Sequence, residues 1–188
     1  LVAAPADPFA PLERYGFDRE LFASWQRAVA DGRLSKANNV VQGELRAPPP
    51  KTIKQLPGSA TKIRAEQKRR GGALIGKSEL GVVILNGGMA TRFGGVVKGV
   101  VDVLGRGRSF LALAIEDVLR AQKLFGGKVQ VYLMNSFATD EVTKQHFEKH
   151  GHFGLDPAQI HHFTQFVSVR MEKDGELFLL QDGEVSPY

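Results

Sequence analysis

Gly81-Val82-Val83-Ile84-Leu85-Asn86-Gly87-Gly88 is the stretch whose reading decides the fold. A short apolar run that ends in a glycine pair reads as a strand buried on both faces, feeding a tight loop. Downstream, Ser109 can cap a helix with Leu111, Ile115, Val118, Leu119 and Leu124 on its apolar side, closed by Gly126-Gly127. Lys128-Val129-Gln130-Val131-Tyr132-Leu133-Met134 reads as the next strand, and Thr139 can cap a helix running to about His150. A turn at Asp156-Pro157-Ala158 leads into a strand over 160–166, and residues 177–180 are a last strand candidate after Asp174-Gly175. The order strand, loop, helix, strand, helix, strand implies right-handed crossovers and a mainly parallel sheet flanked by helices. In such sheets ligands bind beyond the carboxyl ends of the strands. The glycine loop leaves its strand at that end, and so does Asn135-Ser136-Phe137.

Upstream the chain reads differently. Asp18 can cap a helix to about Asp31, with Phe17, Leu21, Phe22, Trp25 and Val29 at helical spacing and Gly32 as the stop. Pro48-Pro49-Pro50 forces an extended connector. Ser59 then opens a charged helix expected to end near Gly71-Gly72. The expected division is a helical region and connector over 1–79 and an α/β part over 80–188. The chain begins at Leu1 and ends on Glu184-Val185-Ser186-Pro187-Tyr188 without a capping element, so it is expected to be a piece of a larger catalytic domain.

Composition narrows the partners. A length of 188 residues suffices for a domain with a real core. A net charge of +5 favours anionic partners such as nucleotides or sugar phosphates. Lys62, Arg64, Lys68, Arg69 and Arg70 form one basic run, read as a solvated helix face. It lacks the interleaved aromatics of a nucleic-acid surface, so no nucleic-acid partner is expected. No apolar run approaches the ~20 residues that span a membrane, and no membrane partner is expected. The chain has no cysteine, which excludes disulfides and thiolate metal sites and fits a cytoplasmic setting.

Two segments compete for a phosphate. Gly71, Gly76, Lys77 and Ser78 satisfy the P-loop pattern G-x-x-x-x-G-K-[ST] at every specified position. That motif needs a strand before it and a helix after it, so that the helix amino end faces the phosphates. Here a charged helical stretch precedes it and a strand follows, so 71–78 reads as a connector. The stronger segment is 85–98, Leu85-Asn86-Gly87-Gly88-Met89-Ala90-Thr91-Arg92-Phe93-Gly94-Gly95-Val96-Val97-Lys98. Gly87 and Gly88 let backbone approach a ligand closely. Arg92 offers a planar fork of donors for phosphate oxygens, and Lys98 adds a point charge. Together they would neutralise a polyphosphate and the charge that develops in phosphoryl transfer. A dinucleotide fingerprint needs its helix to open inside the glycine loop, whereas here the helix begins only near Ser109. His146 and His150 share a helix face at i, i+4 but have no evident further ligand, so they read as solvated helix-end residues.

The segment 85–98, with Gly99 and Asp102-Val103 after it, resembles the signature of the UDP-sugar pyrophosphorylases. That group includes UTP:glucose-1-phosphate uridylyltransferases and UDP-N-acetylglucosamine pyrophosphorylases. Leu133-Met134-Asn135-Ser136-Phe137 with Thr139-Asp140-Glu141 and Thr143 looks like a second family block. Phe153-Gly154-Leu155, Phe163-Thr164-Gln165 and Asp174-Gly175 look like a third. Ala90 stands where the family loop commonly has glycine, and Val97 where a proline usually precedes the lysine. Asn86 and Asn135-Ser136-Phe137 look like the glucose enzymes, whereas Thr91-Arg92 and the spacing to Lys98 look like the N-acetylglucosamine enzymes.

The resemblance implies a Rossmann-like, GT-A-like nucleotidyltransferase fold and a uridylyltransferase that forms a UDP-sugar and pyrophosphate from UTP and a sugar-1-phosphate. It implies that Leu85, Asn86, Gly87 and Gly88 line the uridine and phosphate site. Arg92 and Lys98 would hold the triphosphate as catalytic residues, and Gln165 would contact the uracil edge with its paired donor and acceptor. Mg²⁺ is implied as cofactor, with no metal ligand assigned among these residues, Asp102 and Asp140 being read as surface or capping residues. A binding-only module that keeps the loop but not turnover, and a transferase specific for another base, are the alternatives.

Overall fold

The computed structural model describes residues 7–90, 96–180 and 185–186, with backbone only at Met89 and Ala90. Its elements in chain order are α1 (Ala10–Glu13), α2 (Arg19–Ala30), α3 (Lys62–Gly76), β1 (Gly81–Leu85), β2 (Met89–Ala90), β3 (Val96–Val97), α4 (Phe110–Phe125), β4 (Gln130–Asn135), α5 (Asp140–Lys149) and β5 (Ile160–Thr164). Close contacts divide the chain into two units, Leu1–Ala47 with Phe166–Tyr188, and Pro48–Gln165. This differs from the division expected at residue 80. The connector and α3 belong with the sheet, and 166–188 belongs with the amino-terminal helices.

The sheet unit follows the expected order. β1, β4 and β5 lie side by side in that order, all parallel. Two crossovers of one hand that step in one direction put their helices on one face, and burial agrees. Val131 and Leu133 of β4 are fully buried with Leu111, Ile115 and Val118 of α4 and Phe147 of α5, while Val82, Ile84 and Ile160 pack at the margin. The opposite face carries Val83, Leu85, Tyr132 and Phe163 exposed. This corrects the reading of β1 as buried on both faces: exposed and half-buried residues alternate along it, because its partner lies on one side and helices cover one face. Leu124 is likewise exposed, one step off the buried stripe of α4.

The helix caps fall mostly where the sequence put them. Ser109 accepts from the Ala112 N–H and caps α4. Gly126 ends that helix at φ +74°, and Gly127 lies so close to the Ile75 carbonyl that a Cβ there would overlap it. α3 departs from expectation at both ends. Its cap is Thr61, which accepts from the Arg64 N–H, and the helix runs through Gly71-Gly72 to Gly76. Gly72 does not break it because the residue meets a packed neighbour: a Cβ would stand 2.6 Å from the Phe125 ring of α4. Gly72 is therefore a close-approach point between two helices, at the ordinary cost of glycine in a helix, whereas Gly71 meets no neighbour among the described residues.

In the other unit Asp18 accepts from the Leu21 N–H and caps α2. Phe9, Phe17 and Phe22 form an aromatic cluster, with Phe9 and Phe17 stacked at 4.9 Å. Leu21, expected on the packing stripe, is exposed. Residues 177–180 form no strand; the backbone there makes only the isolated bridges Met171↔Leu177 and Leu179↔Val185.

Candidate functional site

Three expected site residues meet at the carboxyl ends of the strands. Asn86 follows β1 and its N–H donates to the Met134 carbonyl at 2.8 Å. Gln165 follows β5 and its N–H donates to the Asn135 carbonyl, also at 2.8 Å. Both are thus held to the end of the central strand, one from each side. Gly87, next to Asn86, lies against the Gln165 side chain, so that a Cβ at Gly87 would overlap Gln165 Oε1. Gly88 has nothing within 4 Å of where a Cβ would be. Among the described residues no atom takes up the space that a side chain at Gly88 would fill.

Beside this meeting point opens a cavity of about 340 Å³, lined by Leu85, Asn86, Gly88, Lys98, Gly99 and Phe110 among others. The volume suits a small-molecule site. Leu85 is 74% exposed at its mouth. Lys98 is exposed, and its ammonium lies 5.3 Å from the centre of the Phe110 ring. The aromatic face attracts the cation and gives it a resting position at the cavity. The chain reaches Lys98 through the short antiparallel pair of β2 and β3, Met89↔Val97 and Ala90↔Val96. Gly99 is required by packing, because a Cβ would overlap Asn86 Oδ1 and stand 2.9 Å from Leu111. Arg92 lies outside the described residues.

Below the loop runs a polar network that sequence reading did not find. Asn86 Nδ2 donates to Asn135 Oδ1 at 2.9 Å and to Thr143 Oγ1 at 2.7 Å. Asn135 Nδ2 donates to Asp140 Oδ1 at 2.9 Å and lies 3.2 Å from His162 Nδ1. Lys144 Nζ donates to the other Asp140 oxygen at 2.7 Å. Asn86, Asn135 and Thr143 are buried, and among the described residues no buried side-chain polar atom lacks a partner. Burial would raise the Asp140 carboxyl, but the hydrogen bonds from Lys144 and Asn135 outweigh it and hold the group below its ordinary range. Burial, aided by Lys144, holds the His162 imidazole low against the opposing pull of Asp140.

Two expectations change here. Asp140 is a member of this network rather than a surface or capping residue, whereas Asp102 does close a turn, accepting from the Gly107 N–H at 2.8 Å. His146 is half-buried instead of solvated. Its Nε2 lies 2.9 Å from Ser109 Oγ, and burial, with His150 and Lys149 nearby, holds it below the usual histidine range. Among the described residues no group of three or more His, Asp or Glu could hold a metal.

The competing P-loop pattern has no phosphate-binding geometry. Gly71 and Gly76 lie inside α3, Lys77 is its C-cap, and Ser78 Oγ accepts from the Lys128 N–H at 2.8 Å. The motif lies at the carboxyl end of the helix, so the helix amino end is remote from it.

A family model described as UTP--glucose-1-phosphate uridylyltransferase matches residues 20–186. The UDP-N-acetylglucosamine pyrophosphorylase of Saccharomyces cerevisiae is 32% identical over 139 residues, which are 71% of this chain and 29% of the yeast protein. The UDP-N-acetylglucosamine diphosphorylase 1 of Arabidopsis thaliana is 32% identical over 143 residues, 70% of this chain and 28% of the plant protein. The crystal structure of the uridine diphosphate N-acetylglucosamine pyrophosphorylase from Trypanosoma brucei, in complex with inhibitor, superposes with a TM-score of 0.56 at 27% identity. That match covers 68% of this chain and 28% of that one. The chain therefore spans under a third of the length of each of these relatives. A parallel sheet whose glycine loop opens at the strand ends, and a family match over most of the sequence, lead to one assignment: the chain belongs to the UTP--glucose-1-phosphate uridylyltransferase family, the UDP-sugar pyrophosphorylases.

Proposed function

We propose that this chain is the UTP-binding part of a uridylyltransferase that forms a UDP-sugar and pyrophosphate from UTP and a sugar-1-phosphate. The relatives named N-acetylglucosamine pyrophosphorylases favour N-acetylglucosamine-1-phosphate over glucose-1-phosphate as the acceptor. The observation that carries the reading is the meeting of Asn86, Gly87 and Gln165 beside a cavity that also holds Lys98.

In this reading the uracil edge lies at Gln165, whose amide has both a donor and an acceptor. The phosphates run past Gly88 toward Lys98. A phosphate oxygen of the sugar attacks the α-phosphorus of UTP, the α–β bridging bond breaks, and pyrophosphate leaves with the electron pair. No protein nucleophile is needed. The chain's part is to hold two anions in line and to stabilise the added charge. Lys98, lifted off Phe110, supplies one cation, and Arg92 supplies another. Mg²⁺ is the expected counter-ion of the triphosphate. The described residues do not fit a resident metal, since Asp102 and Asp140 are engaged elsewhere. The chemistry assigned to this chain's own residues does not pass through it.

The test is pyrophosphate release from UTP and Mg²⁺ with either sugar-1-phosphate, using the protein in its full natural length. Release with N-acetylglucosamine-1-phosphate in excess over glucose-1-phosphate is expected. UTP binding without release, with either sugar, would favour a binding-only module instead.

A further inference from the structure

The polar network beneath the loop has a fixed direction. At one end the Thr139 carbonyl can only accept, so the Thr143 hydroxyl donates to it at 2.6 Å. Thr143 Oγ1 must then accept from Asn86, which fixes the Asn86 amide with its NH₂ toward Thr143 and Asn135. Asn135 therefore turns Oδ1 to Asn86 and its NH₂ to Asp140 and His162. At that far end the Asp140 carboxylate can only accept. His162 Nδ1, sharing the same NH₂, must accept as well, which puts the imidazole proton of the neutral ring on Nε2.

We propose that Asn135, backed by Asp140 and His162, is the positioning residue for loop residue Asn86, and that a proton added to His162 Nδ1 loosens this hold. A protonated Nδ1 would face the Asn135 NH₂ donor to donor. Asn135 cannot answer by flipping its amide, because Oδ1 would then face the Asp140 carboxylate and its NH₂ would face that of Asn86. The network has no second satisfied arrangement, so one bond is lost and Asn135 shifts. Asn86 shifts with it, and Asn86 lines the cavity and fills the space beside Gly99. The charges that face His162 are Asp140 and Lys144 on α5 and His152 in the turn after α5; Lys144 and His152 oppose the added proton and Asp140 favours it. The consequence for nucleotide affinity rests on the UTP reading above; the link from His162 to Asn86 does not.

The experiment is an NMR titration of the ¹⁵N-labelled chain from about pH 8 to about pH 5, following the side-chain amides of Asn86 and Asn135 and the His162 ring. Both amides are expected to move with the midpoint of His162. Mg²⁺-UTP affinity, measured over the same range, is expected to fall about fivefold through that midpoint, as for the loss of one net hydrogen bond. In His162→Phe the amides should lose their dependence on that midpoint and affinity should be low throughout. His162→Gln, which offers an acceptor that does not titrate, should restore affinity without the midpoint. If His162 titrates in the unmodified chain while the Asn86 amide stays still, the proposal is overturned, whatever the variants do. If the amides follow His162 but UTP binds at no pH, the positioning link stands and the UTP reading fails.

Discussion

Asn86 Nδ2 donates to Asn135 Oδ1 at 2.9 Å, joining the residue that follows β1 to the last residue of β4. The loop that leaves β1 is thereby fixed to the strand next to it before any ligand arrives. Both residues are buried, so the bond between them satisfies polar atoms shielded from water.

Asn135→Ala should therefore destabilise the protein by about 1–3 kcal/mol, because it takes one hydrogen-bond partner from the buried Asn86 amide and one from the partly buried Asp140 carboxylate. Urea denaturation measures it. A change of a few tenths of a kcal/mol would mean that the network contributes little.

Two glycines of the loop region should respond differently to alanine. At Gly99 the new Cβ would overlap Asn86 Oδ1, held by the network, and press on Leu111. Gly99→Ala should lower stability by about 1–3 kcal/mol. At Gly87 the obstacle is the end of the Gln165 side chain, which can swing away. Gly87→Ala should keep the melting temperature near that of the parent while weakening discrimination of UTP from CTP. Equal thermal shifts for the two variants would contradict this contrast.

Lys98 is exposed and contributes little to packing. Lys98→Ala should leave the melting temperature unchanged and lower turnover by roughly a hundredfold, the scale of removing one preorganised charge donor. Arg92→Ala should likewise cost far more turnover than stability. Lys77→Ala, in the formally better P-loop pattern, should change neither, since Lys77 only ends α3. Loss of UTP binding in the Lys77 variant would reverse the choice between the two segments.

Acid should destabilise the fold in two steps. His146 and His162 have folded pKa values below the ordinary 6.5, mainly through burial. Above the unfolded value neither state holds the proton, and the stability is whole. As pH falls below about 6.5 the unfolded chain takes up protons that the folded chain resists, so stability declines through the folded pKa. Asp140 is depressed below 3.8, so its contribution is present above that value and is lost as pH falls further. Denaturation midpoints recorded against pH check both steps. A midpoint that rises on acidification between about pH 7 and pH 5 would contradict the histidine assignments.

Much of this was legible in the sequence, for identifiable reasons. Ser109, Asp18 and the Gly126-Gly127 stop are local signals, and local hydrogen bonding decides them. The alternation of strand and helix fixed the parallel order of β1, β4 and β5. Gln165 is placed at the site by the family resemblance alone; the sequence reads as strand through it to 166, whereas β5 ends at Thr164 and leaves Gln165 at the strand end beside Gly87. What could not be read depends on partners distant in sequence. Gly71-Gly72 reads as a helix stop, but Phe125, far along the chain, packs against Gly72 and the helix runs through. Asp140 stands in the second family block but its role there was not legible, and His162 gave no motif, because both roles rest on side-chain contacts with Asn135, His162 reaching it from the next strand. The exposure of Val83 and Leu85 depends on which strands and helices lie beside β1, and composition does not record that.

The most direct test of the account is where Mg²⁺-UTP binds on the labelled chain. Amide shifts at Asn86, Gly88, Lys98 and Gln165, with CTP far less effective than UTP, are the predicted result. Shifts confined to 71–78, or no shifts with any nucleotide, would contradict it.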